Sequence, residues 1–202
     1  GNPVEHSLSP KLHNYWFKQN NLDAIYDKRK LNKSEVEGII SKVKNSKING
    51  INVTVPFKKF VIPFLDKLTP LASKTQSVNT IFKKDNNVVG DNTDMGGFEQ
   101  SLKHINYTVK NKRVFILGAG GVVPSIILAL KRLGASKIFL SNRTKEKAEA
   151  IKKNHLNLKI IDWNQINQSS DFDMIINATS LGLKNNDQIK LDYKNVGKNK
   201  LF

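Results

Sequence analysis

The apolar and polar positions between residues 113 and 143 predict a strand, a tight turn, a helix and a second strand, in that order. Val114 to Leu117 is a short apolar run with the length and β-branched or aromatic content of a buried parallel strand. A cluster of glycines at 118–121 follows at once, and a long segment with helical apolar spacing comes next. Lys137 to Ser141 is the second apolar run. Strands that alternate with helices predict a parallel α/β sheet.

The glycine cluster indicates a site for a phosphate group. Glycine permits a positive φ and lets the backbone approach a ligand closely, because it has no Cβ. The helix that follows directs its free amide groups and the positive end of its dipole at the turn. The pattern G-x-G-x-x-G is incomplete, because Val123 occupies its third glycine position. A tight turn without any ligand therefore remains an alternative.

The end of the second strand favours NADP over NAD. Units that bind NAD place an acidic residue there for the ribose 2′-hydroxyl, whereas units that bind NADP place an arginine near the 2′-phosphate. Asn142, Arg143 and Thr144 follow Ser141 in this chain, and the strand end itself carries no acid. Further along the chain, helical spacing predicts a helix over 145–153, and apolar runs predict strands over 158–161 and 173–177.

The N-terminal part is predicted to contain its own helices and strands. Ser9 followed by Pro10 indicates a helix whose N-cap is Ser9, with Leu12, Tyr15 and Trp16 on one face. The other predicted elements are a strand over 24–26, a helix capped by Asn32 with Glu35 three residues on, a buried strand over 48–54, helical segments over 57–65 and 68–74, a hairpin of strands 77–84 and 88–91, and a helix over 94–102.

These elements predict two domains, with a boundary near Gly97. Residues 1–97 form the expected N-terminal α/β domain. Residues 98–202 form the expected NADP-binding domain, a Rossmann-type doubly wound parallel sheet.

Composition narrows the class of protein. The 202 residues include no cysteine, which excludes a disulfide scaffold and fits a reducing cytoplasm. No apolar run approaches the length of a membrane span, and the four histidines are too scattered to indicate a metal site. The net charge of +16 raises the alternative of a basic nucleic-acid-binding module. Because the lysines are spread along the chain, we interpret them as a solvated surface that also attracts small anionic ligands.

Polar residues at strand ends or before helices mark where an open α/β sheet binds ligands. Each has a purely structural alternative: Ser9 as a helix cap, Lys58 as a surface lysine, Asn79 as a turn former and Asp94 as an N-cap. The four clusters are Ser7 with Ser9; Asn52, Thr54 and Lys58; Asn79 with Thr80; and Asn92, Thr93 and Asp94.

Six sequence blocks in this order and spacing resemble shikimate dehydrogenase. They are GNPVEHSLSPKLHN, NVTVPFK, SVNTI, GDNTDMGG, LGAGG and SNRTKEK, and they cover almost the whole chain. The first four are specific to that family and its close quinate/shikimate relatives. The resemblance implies an NADP-dependent oxidoreductase that interconverts 3-dehydroshikimate and shikimate in the biosynthesis of chorismate and the aromatic amino acids. It also implies that residues 1–97 are the substrate-binding and catalytic domain and that the NADP-binding domain, residues 98–202, is incomplete at its C-terminus.

The resemblance also implies the site residues. Lys58 is the expected catalytic residue with Asp94 as its partner, and Ser7 and Ser9 are the expected partners of the substrate carboxylate. Thr54, Asn79 and Asp94 are expected to bind the ring hydroxyls. The expected contacts of the cofactor are Gly118, Ala119, Gly120, Gly121, Val122, Asn142, Arg143, Thr144, Lys145, Glu146, Lys147 and Thr179. No metal is expected.

The resemblance includes departures and leaves alternatives open. Pro124 lies in the first helical turn and donates no amide to a phosphate. The family has a strand before the position of Gly1 and a C-terminal stretch after Phe202, so we expect this chain to be a fragment. The alternatives are a quinate/shikimate dehydrogenase that uses NAD or NADP, and a non-catalytic NADP-binding remnant. A cytoplasmic monomer or homodimer that binds neither nucleic acid nor membrane is expected.

Overall fold

The computed structural model describes residues 1–155, 157–167, 172–182, 187–191 and 200–201. The chain forms two units, one from Gly1 to Asn92 and one from Thr93 onward. The sequence analysis places the boundary near Gly97. In the structure, Gly97 lies inside the first helix of the second unit. Each unit has a four-stranded sheet of its own.

The sheet of the first unit is mixed, with strand order β1-β3-β4-β2. β3 and β4 form the antiparallel hairpin that the sequence predicts, and Asp85 and Asn86 in its turn have φ values of 48° and 62°, as a tight hairpin turn requires. β4 also pairs in parallel with β2, which the sequence analysis did not predict. The strands are β1 (Gly50–Asn52), β2 (Lys67–Leu68), β3 (Thr80–Lys84) and β4 (Asn87–Asp91).

Three α-helices belong to the described part of the first unit, namely α1 (Ser9–Gln19), α2 (Val36–Lys44) and α3 (Pro70–Thr75). The predicted capping box of Asn32 and Glu35 is present, and it opens a short 3-10 helix (Lys33–Glu35) that leads into α2. α2 buries Val36, Ile40 and Val43 as its apolar stripe predicts, and these side chains pack against the sheet. A second 3-10 helix spans Ile62–Phe64.

Two expectations for the first unit are wrong. Residues 24–26 form no strand, because the main chain of Tyr26 donates to and accepts from the side chain of Asn14, at 2.8 Å in each case. Such side-chain bonds compete with the ladder of a sheet. The buried strand expected over 48–54 is shorter and is not buried: it spans Gly50–Asn52, whose residues are exposed or half-buried.

The second unit contains the parallel sheet that the sequence predicts, with strand order β7-β6-β5-β8. The strands are β5 (Arg113–Leu117), β6 (Lys137–Ser141), β7 (Leu158–Ile160) and β8 (Met174–Asn177), and the helices are α4 (Asp94–His104), α5 (Val123–Arg132) and α6 (Lys145–Lys152). A 3-10 helix spans Trp163–Gln165. Among the described residues, no helix has both the length and the apolar character needed to cross a membrane.

Both faces of β5 are buried, as in other parallel sheets. Val114 and Ile116 pack in one apolar cluster with residues of α4, α5 and α6. Phe115 and Leu117 point to the opposite face because successive side chains of a strand alternate, and there they pack with Phe172. This double burial holds the carboxyl end of β5, where the glycine turn begins, in a fixed place.

Asp173 fastens the start of β8 to β5. Its Oδ2 accepts hydrogen bonds from the main-chain N–H of Arg113 at 2.8 Å and from the Arg113 side chain at 3.4 Å. Lys200 Nζ lies 3.6 Å from its other carboxylate oxygen, and the Asp173 side chain is only 20% exposed. The hydrogen bond from the Arg113 N–H is the main cause that lowers the pKa of Asp173 below its usual 3.8.

We expect Asp173→Asn to lower the free energy of unfolding by about 1–3 kcal/mol at neutral pH, because bonds to a charged acceptor are lost. A carboxylate whose pKa is lowered in the folded protein stabilises it above the unfolded-state pKa and loses that contribution as the pH falls through the folded pKa. The difference between variant and wild type, measured by urea unfolding, should therefore begin to decrease as the pH falls below about 4 and disappear once the pH is below the pKa of folded Asp173. Asp23→Asn, at an exposed position, is the control. An equal effect at all pH values would contradict this role.

Candidate active site

Ser7 and Ser9 lie where a loop enters α1. The N-cap of α1 is Leu8, so the interpretation of Ser9 as the cap is wrong, and Pro10 stands at the second helical position. The side chain of Ser7 instead accepts a hydrogen bond from the main-chain N–H of Ser9 at 3.3 Å. Ser7 therefore satisfies an amide of the first turn that the helix itself leaves without a partner.

Residues 1–7 are fastened to the neighbouring segments of the first unit. The main-chain N–H of Asn2 donates to Val55 O at 2.9 Å, and the Asn2 side chain donates to Leu31 O at 3.4 Å. The bond to Val55 connects the loop that carries Ser7 to the turn that carries Lys58. Two of the sequence blocks are thereby neighbours in space.

Glu5 adds a second attachment for this loop. Its carboxylate accepts from Lys30 Nζ at 2.8 Å and from the main-chain N–H of Val4 at 3.0 Å, while Lys28 Nζ donates to its main-chain oxygen. The hydrogen bond from Lys30, followed by backbone N–H groups, lowers the pKa of Glu5 to about 2. Both side chains are exposed, so this pair orders the loop without contributing much to stability.

Thr54 and Lys58 are the two ends of one turn. The main-chain N–H of Phe57 donates to Thr54 O at 2.9 Å and closes the turn, and the Phe57 side chain is buried in the core of the first unit. The main-chain oxygen of Lys58 accepts from Val78 N at 2.8 Å. Lys58 is half-buried, whereas Lys59 is exposed. The buried phenylalanine and the bond to Val78 thus fix the backbone at Lys58.

Asn79 directly precedes β3 in the sequence. In space, its backbone joins Val53, which precedes this turn, to the end of β4. Its main-chain oxygen accepts from Val53 N at 2.7 Å, and its N–H donates to Asp91 O at 3.0 Å. The hydroxyl of Thr80 donates to Asn79 Oδ1 at 3.0 Å. The first unit thereby connects the blocks of Ser7, Thr54, Lys58 and Asn79 at neighbouring positions.

Asp94 is the first residue of α4 and belongs to the second unit. Its interpretation as the N-cap is wrong, because Thr93 holds that position. An acidic residue in the first turn of a helix is favoured by the helix dipole. The neighbouring Asn92 has a structural role, since it is buried and donates to Ser77 O at 2.8 Å.

The sequence analysis did not single out Tyr26, which lies in the first unit beside Asn52. Its hydroxyl donates to Asn52 Oδ1 at 2.9 Å. The sequence around Tyr26 carries no glycine, cap or motif that distinguishes it from any other half-buried tyrosine. Its role depends on a contact between residues distant in the sequence, which a local pattern does not show.

In the second unit, the glycine turn joins three strand ends. The N–H of Gly118 donates to Ser141 O at 2.8 Å, and the N–H of Ala178 donates to Leu117 O at 2.8 Å. A Cβ on Gly118, whose φ is +109°, would lie 2.6 Å from Ala178 O and 2.9 Å from Thr179 N. Only glycine fits that position, because neither its φ nor the space admits a side chain.

The incomplete glycine motif has a structural explanation. α5 begins at Val123 with Val122 as its N-cap, and Pro124 is the second helical residue. Val123 is fully buried in the apolar cluster of the second unit, so its side chain fills the core instead of clashing with it. The third glycine of the usual pattern permits close packing of helix on strand. In this chain a valine packs at the same position.

Polar side chains follow β6 and β8 at the same edge of the sheet. Asn142 Nδ2 donates to Thr144 O at 2.8 Å, Thr144 is the N-cap of α6, and Arg143 is exposed. After β8, the N–H and hydroxyl of Thr179 both donate to Asn177 Oδ1, at 3.0 and 2.7 Å. Lys145, Glu146 and Lys147 form the exposed first turn of α6.

This edge fits a dinucleotide that carries a 2′-phosphate. A Cβ on Gly120 would meet nothing nearer than Ala178 O at 3.9 Å, so there is room for a phosphate beside this exposed residue at the start of α5. Arg143 supplies a cation at the end of the next strand. Sheet, turn and arginine together define a Rossmann-type nicotinamide-dependent oxidoreductase.

Comparison with known proteins gives the family. The model of the shikimate dehydrogenase substrate binding domain matches residues 1–81, and that of shikimate / quinate 5-dehydrogenase matches residues 100–188. The NADP(+) shikimate dehydrogenase of Pelagibacter ubique is 54% identical over all 202 residues, which span 75% of that protein.

Solved structures agree with these matches. The shikimate dehydrogenase of Aquifex aeolicus has a TM-score of 0.88 and 38% identity, over 98% of this chain and 74% of that one. The enzyme of Thermus thermophilus, solved in complex with NADP(H) and shikimate, has a TM-score of 0.85 and 27% identity, over 98% and 73% of the two chains. The chain belongs to the NADP-dependent shikimate dehydrogenase family. The predictions of family, fold class, function and cofactor are confirmed.

Proposed function

We propose that this chain binds shikimate or 3-dehydroshikimate through residues of its first unit, binds NADP through its second, and interconverts the two substrates with Lys58 as the catalytic residue. The observation that carries the proposal is the backbone connection between the Lys58 turn and the Asn79 segment. Val78 N donates to Lys58 O, and Val53 N donates to Asn79 O. The backbones that carry the side chains proposed to move a proton and to bind the substrate are therefore hydrogen-bonded to each other just before β3.

Lys58 would exchange the proton of the reacting hydroxyl. Oxidation of a secondary alcohol to a ketone releases this proton as the hydride departs, so a base must lie within hydrogen-bond reach of it. In the reverse direction the same amine returns the proton to the forming alkoxide. NADP, when bound, supplies or accepts the hydride.

Asp94 would keep the Lys58 ammonium in place. A carboxylate accepts charge-assisted hydrogen bonds from an ammonium group, so Asp94 would fix the direction in which the Lys58 side chain points. We propose this pairing from the sequence blocks that carry the two residues.

Hydroxyl and amide side chains suit a small polyhydroxylated carboxylate. Ser7 and Ser9 would donate to the carboxylate, while Thr54, Asn79 and Asp94 would bind ring hydroxyls. A site built to bind hydroxyls discriminates strongly against analogues that lack one, because its own polar groups are then left without partners. We therefore expect a strong preference for fully hydroxylated substrates.

On the cofactor side, the amides around Gly120 and Val122 would hold the pyrophosphate, and Arg143 would hold the 2′-phosphate. Asn142, Thr144 and Lys147 lie beside Arg143 and would complete the adenosine site, while Thr179 would line the nucleotide further along. We also propose that the protein acts in the cytoplasm, as a monomer or homodimer, on small molecules and without nucleic acid. The absence of cysteine and the even spread of lysines support this view.

Substitution of Arg143 tests the cofactor assignment. In the complete polypeptide that carries this sequence, Arg143→Ala should raise KM for NADP⁺ about 10- to 100-fold, because a charge-assisted contact with the 2′-phosphate is lost. KM for NAD⁺, which lacks that phosphate, should change by less than about twofold. Steady-state kinetics at saturating shikimate measures both constants.

The matched control is Lys137→Ala, an exposed cation at the opposite end of the same strand. It should leave both constants unchanged. Equal effects of the Arg143 and Lys137 substitutions would show that only net charge matters, and the assignment of Arg143 would be wrong.

A second candidate function is a quinate/shikimate dehydrogenase. The family model over residues 100–188 is described for both substrates, which is the observation that favours it. Arg143 at the strand end argues for NADP and against relatives that use NAD. A measured preference for NAD⁺ over NADP⁺, or equal turnover of quinate and shikimate, would favour this candidate.

A further inference from the structure

Tyr26 is held firmly in place by α1, the helix at whose start the two serines lie. Asn14 of this helix binds the main-chain N–H and oxygen of Tyr26, both at 2.8 Å. The ring of His13 stacks on the Tyr26 ring with centroids 4.3 Å apart and planes 6° from parallel. Both the backbone and the ring of Tyr26 are thereby fixed, so its hydroxyl has a defined position.

The Tyr26 hydroxyl contacts the polar cluster that contains Asn52. It donates to Asn52 Oδ1 at 2.9 Å, and the nearby Ser9 side chain lowers the pKa of Tyr26. Partial burial raises the pKa of Tyr26 above its usual 10 and outweighs the opposite effect of Ser9. The hydroxyl therefore remains protonated at neutral pH and acts as a donor to Asn52.

The connection continues from Asn52 across the sheet. Asn52 and Thr80 are direct partners in the β1–β3 ladder, and Asn52 Nδ2 lies 3.4 Å from Thr80 Oγ1. The Thr80 hydroxyl donates in turn to Asn79 Oδ1 at 3.0 Å. Because Asn52 Oδ1 accepts from Tyr26, the amide of Asn52 is oriented with its nitrogen toward Thr80. One chain of hydrogen bonds thus runs from Tyr26 to Asn79.

We propose that Tyr26 is a positioning residue of the substrate site, whose hydroxyl holds Asn52, and through Thr80 also Asn79, in the orientations that bind substrate. This inference rests on the proposed function, because Asn79 matters as a substrate contact only if that function is right. Side chains that are already oriented before binding lose less conformational entropy when the substrate binds. If Tyr26 no longer orients them, substrate binding should weaken before the chemical step is affected.

The test is Tyr26→Phe in the complete polypeptide, which removes the hydroxyl and keeps the ring against His13. We expect KM for shikimate to rise about 3- to 20-fold, since a hydrogen-bonded link in the site is lost, with kcat and KM for NADP⁺ within about twofold of wild type. Tyr15→Phe is the matched control, because it removes a hydroxyl from an exposed tyrosine of α1. It should change none of these constants.

A double-variant cycle separates positioning from a merely structural role. If the hydroxyl acts through Asn52, Tyr26→Phe should have almost no further effect in an Asn52→Ala background. A purely structural tyrosine would instead lower the unfolding temperature, change the constants of both substrates and add to Asn52→Ala.

The possible outcomes are distinguishable. An active wild type with an unchanged KM for shikimate in Tyr26→Phe, or with full additivity in the cycle, would overturn the inference and leave the proposed function intact. A folded wild type with no shikimate-dependent reduction of NADP⁺ would overturn the proposed function, and this inference with it.

Discussion

Lys58→Ala should lower kcat for shikimate oxidation by about 10²- to 10⁴-fold, the usual contribution of a positioned acid or base. The proton of the reacting hydroxyl would have no acceptor in the site. Binding of NADPH should stay nearly intact, because every cofactor contact assigned above lies in the second unit. Steady-state kinetics gives kcat, and a fluorescence titration gives the dissociation constant of NADPH.

The adjacent lysine is a close control for this experiment. Lys59 has the same charge and neighbouring sequence but is exposed, whereas Lys58 is half-buried. Lys59→Ala should keep wild-type turnover. Undiminished turnover in Lys58→Ala, or an equal loss in both variants, would show that Lys58 is not the residue that moves the proton.

Gly118→Ala should lower the free energy of unfolding by about 2–5 kcal/mol, a sum of backbone strain and overpacking. Its φ of +109° disfavours any side chain, and the new Cβ would lie 2.6 Å from Ala178 O and 2.9 Å from Thr179 N. These neighbours are backbone atoms, so relief requires the turn or the end of β8 to move. Chemical unfolding measures the loss.

A second glycine of the same turn separates folding from cofactor binding. The space beside Gly120 is open, with Ala178 O at 3.9 Å as the nearest contact of an added Cβ. Gly120→Ala should therefore fold like wild type but bind NADPH more weakly, because the methyl group occupies the room proposed for a phosphate. Wild-type affinity in Gly120→Ala would place the phosphate elsewhere, and wild-type stability in Gly118→Ala would contradict the geometry of the turn.

The elements that the sequence predicted well are those whose cause is local. The hairpin at Asp85 and Asn86 follows from residues that tolerate positive φ, and the capping box of Asn32 and Glu35 lies within four residues. β5 and β6 are apolar runs of strand length that a parallel sheet buries on both faces.

The features that were missed depend on contacts between distant residues. The expected strand at 24–26 is replaced by side-chain bonds from Asn14, twelve residues before Tyr26 in the chain. Ser9 is not the N-cap of α1; its own main-chain N–H instead donates to the side chain of Ser7. β2 is a two-residue strand that exists through its pairing with β4. None of these contacts leaves a periodic pattern in the sequence.

The roles of the site residues came from the sequence blocks, and physical reasoning alone left each of them ambiguous. The backbone of Lys58 is bonded to Val78, next to Asn79, but this bond does not distinguish a catalytic lysine from a surface lysine. The structure does rule out Ser9 and Asp94 as helix caps, because Leu8 and Thr93 hold those positions. The catalytic and binding roles of the site residues stay predictions.

The most direct test of this account is the oxidation of shikimate by the complete polypeptide with NADP⁺ and, separately, NAD⁺ as the acceptor. We expect 3-dehydroshikimate and NADPH to form in equal amounts, with kcat/KM for NADP⁺ at least about tenfold above that for NAD⁺, as expected when a charged side chain binds the 2′-phosphate. A folded protein that binds NADP⁺ but does not oxidise shikimate, or one that prefers NAD⁺, would contradict the account.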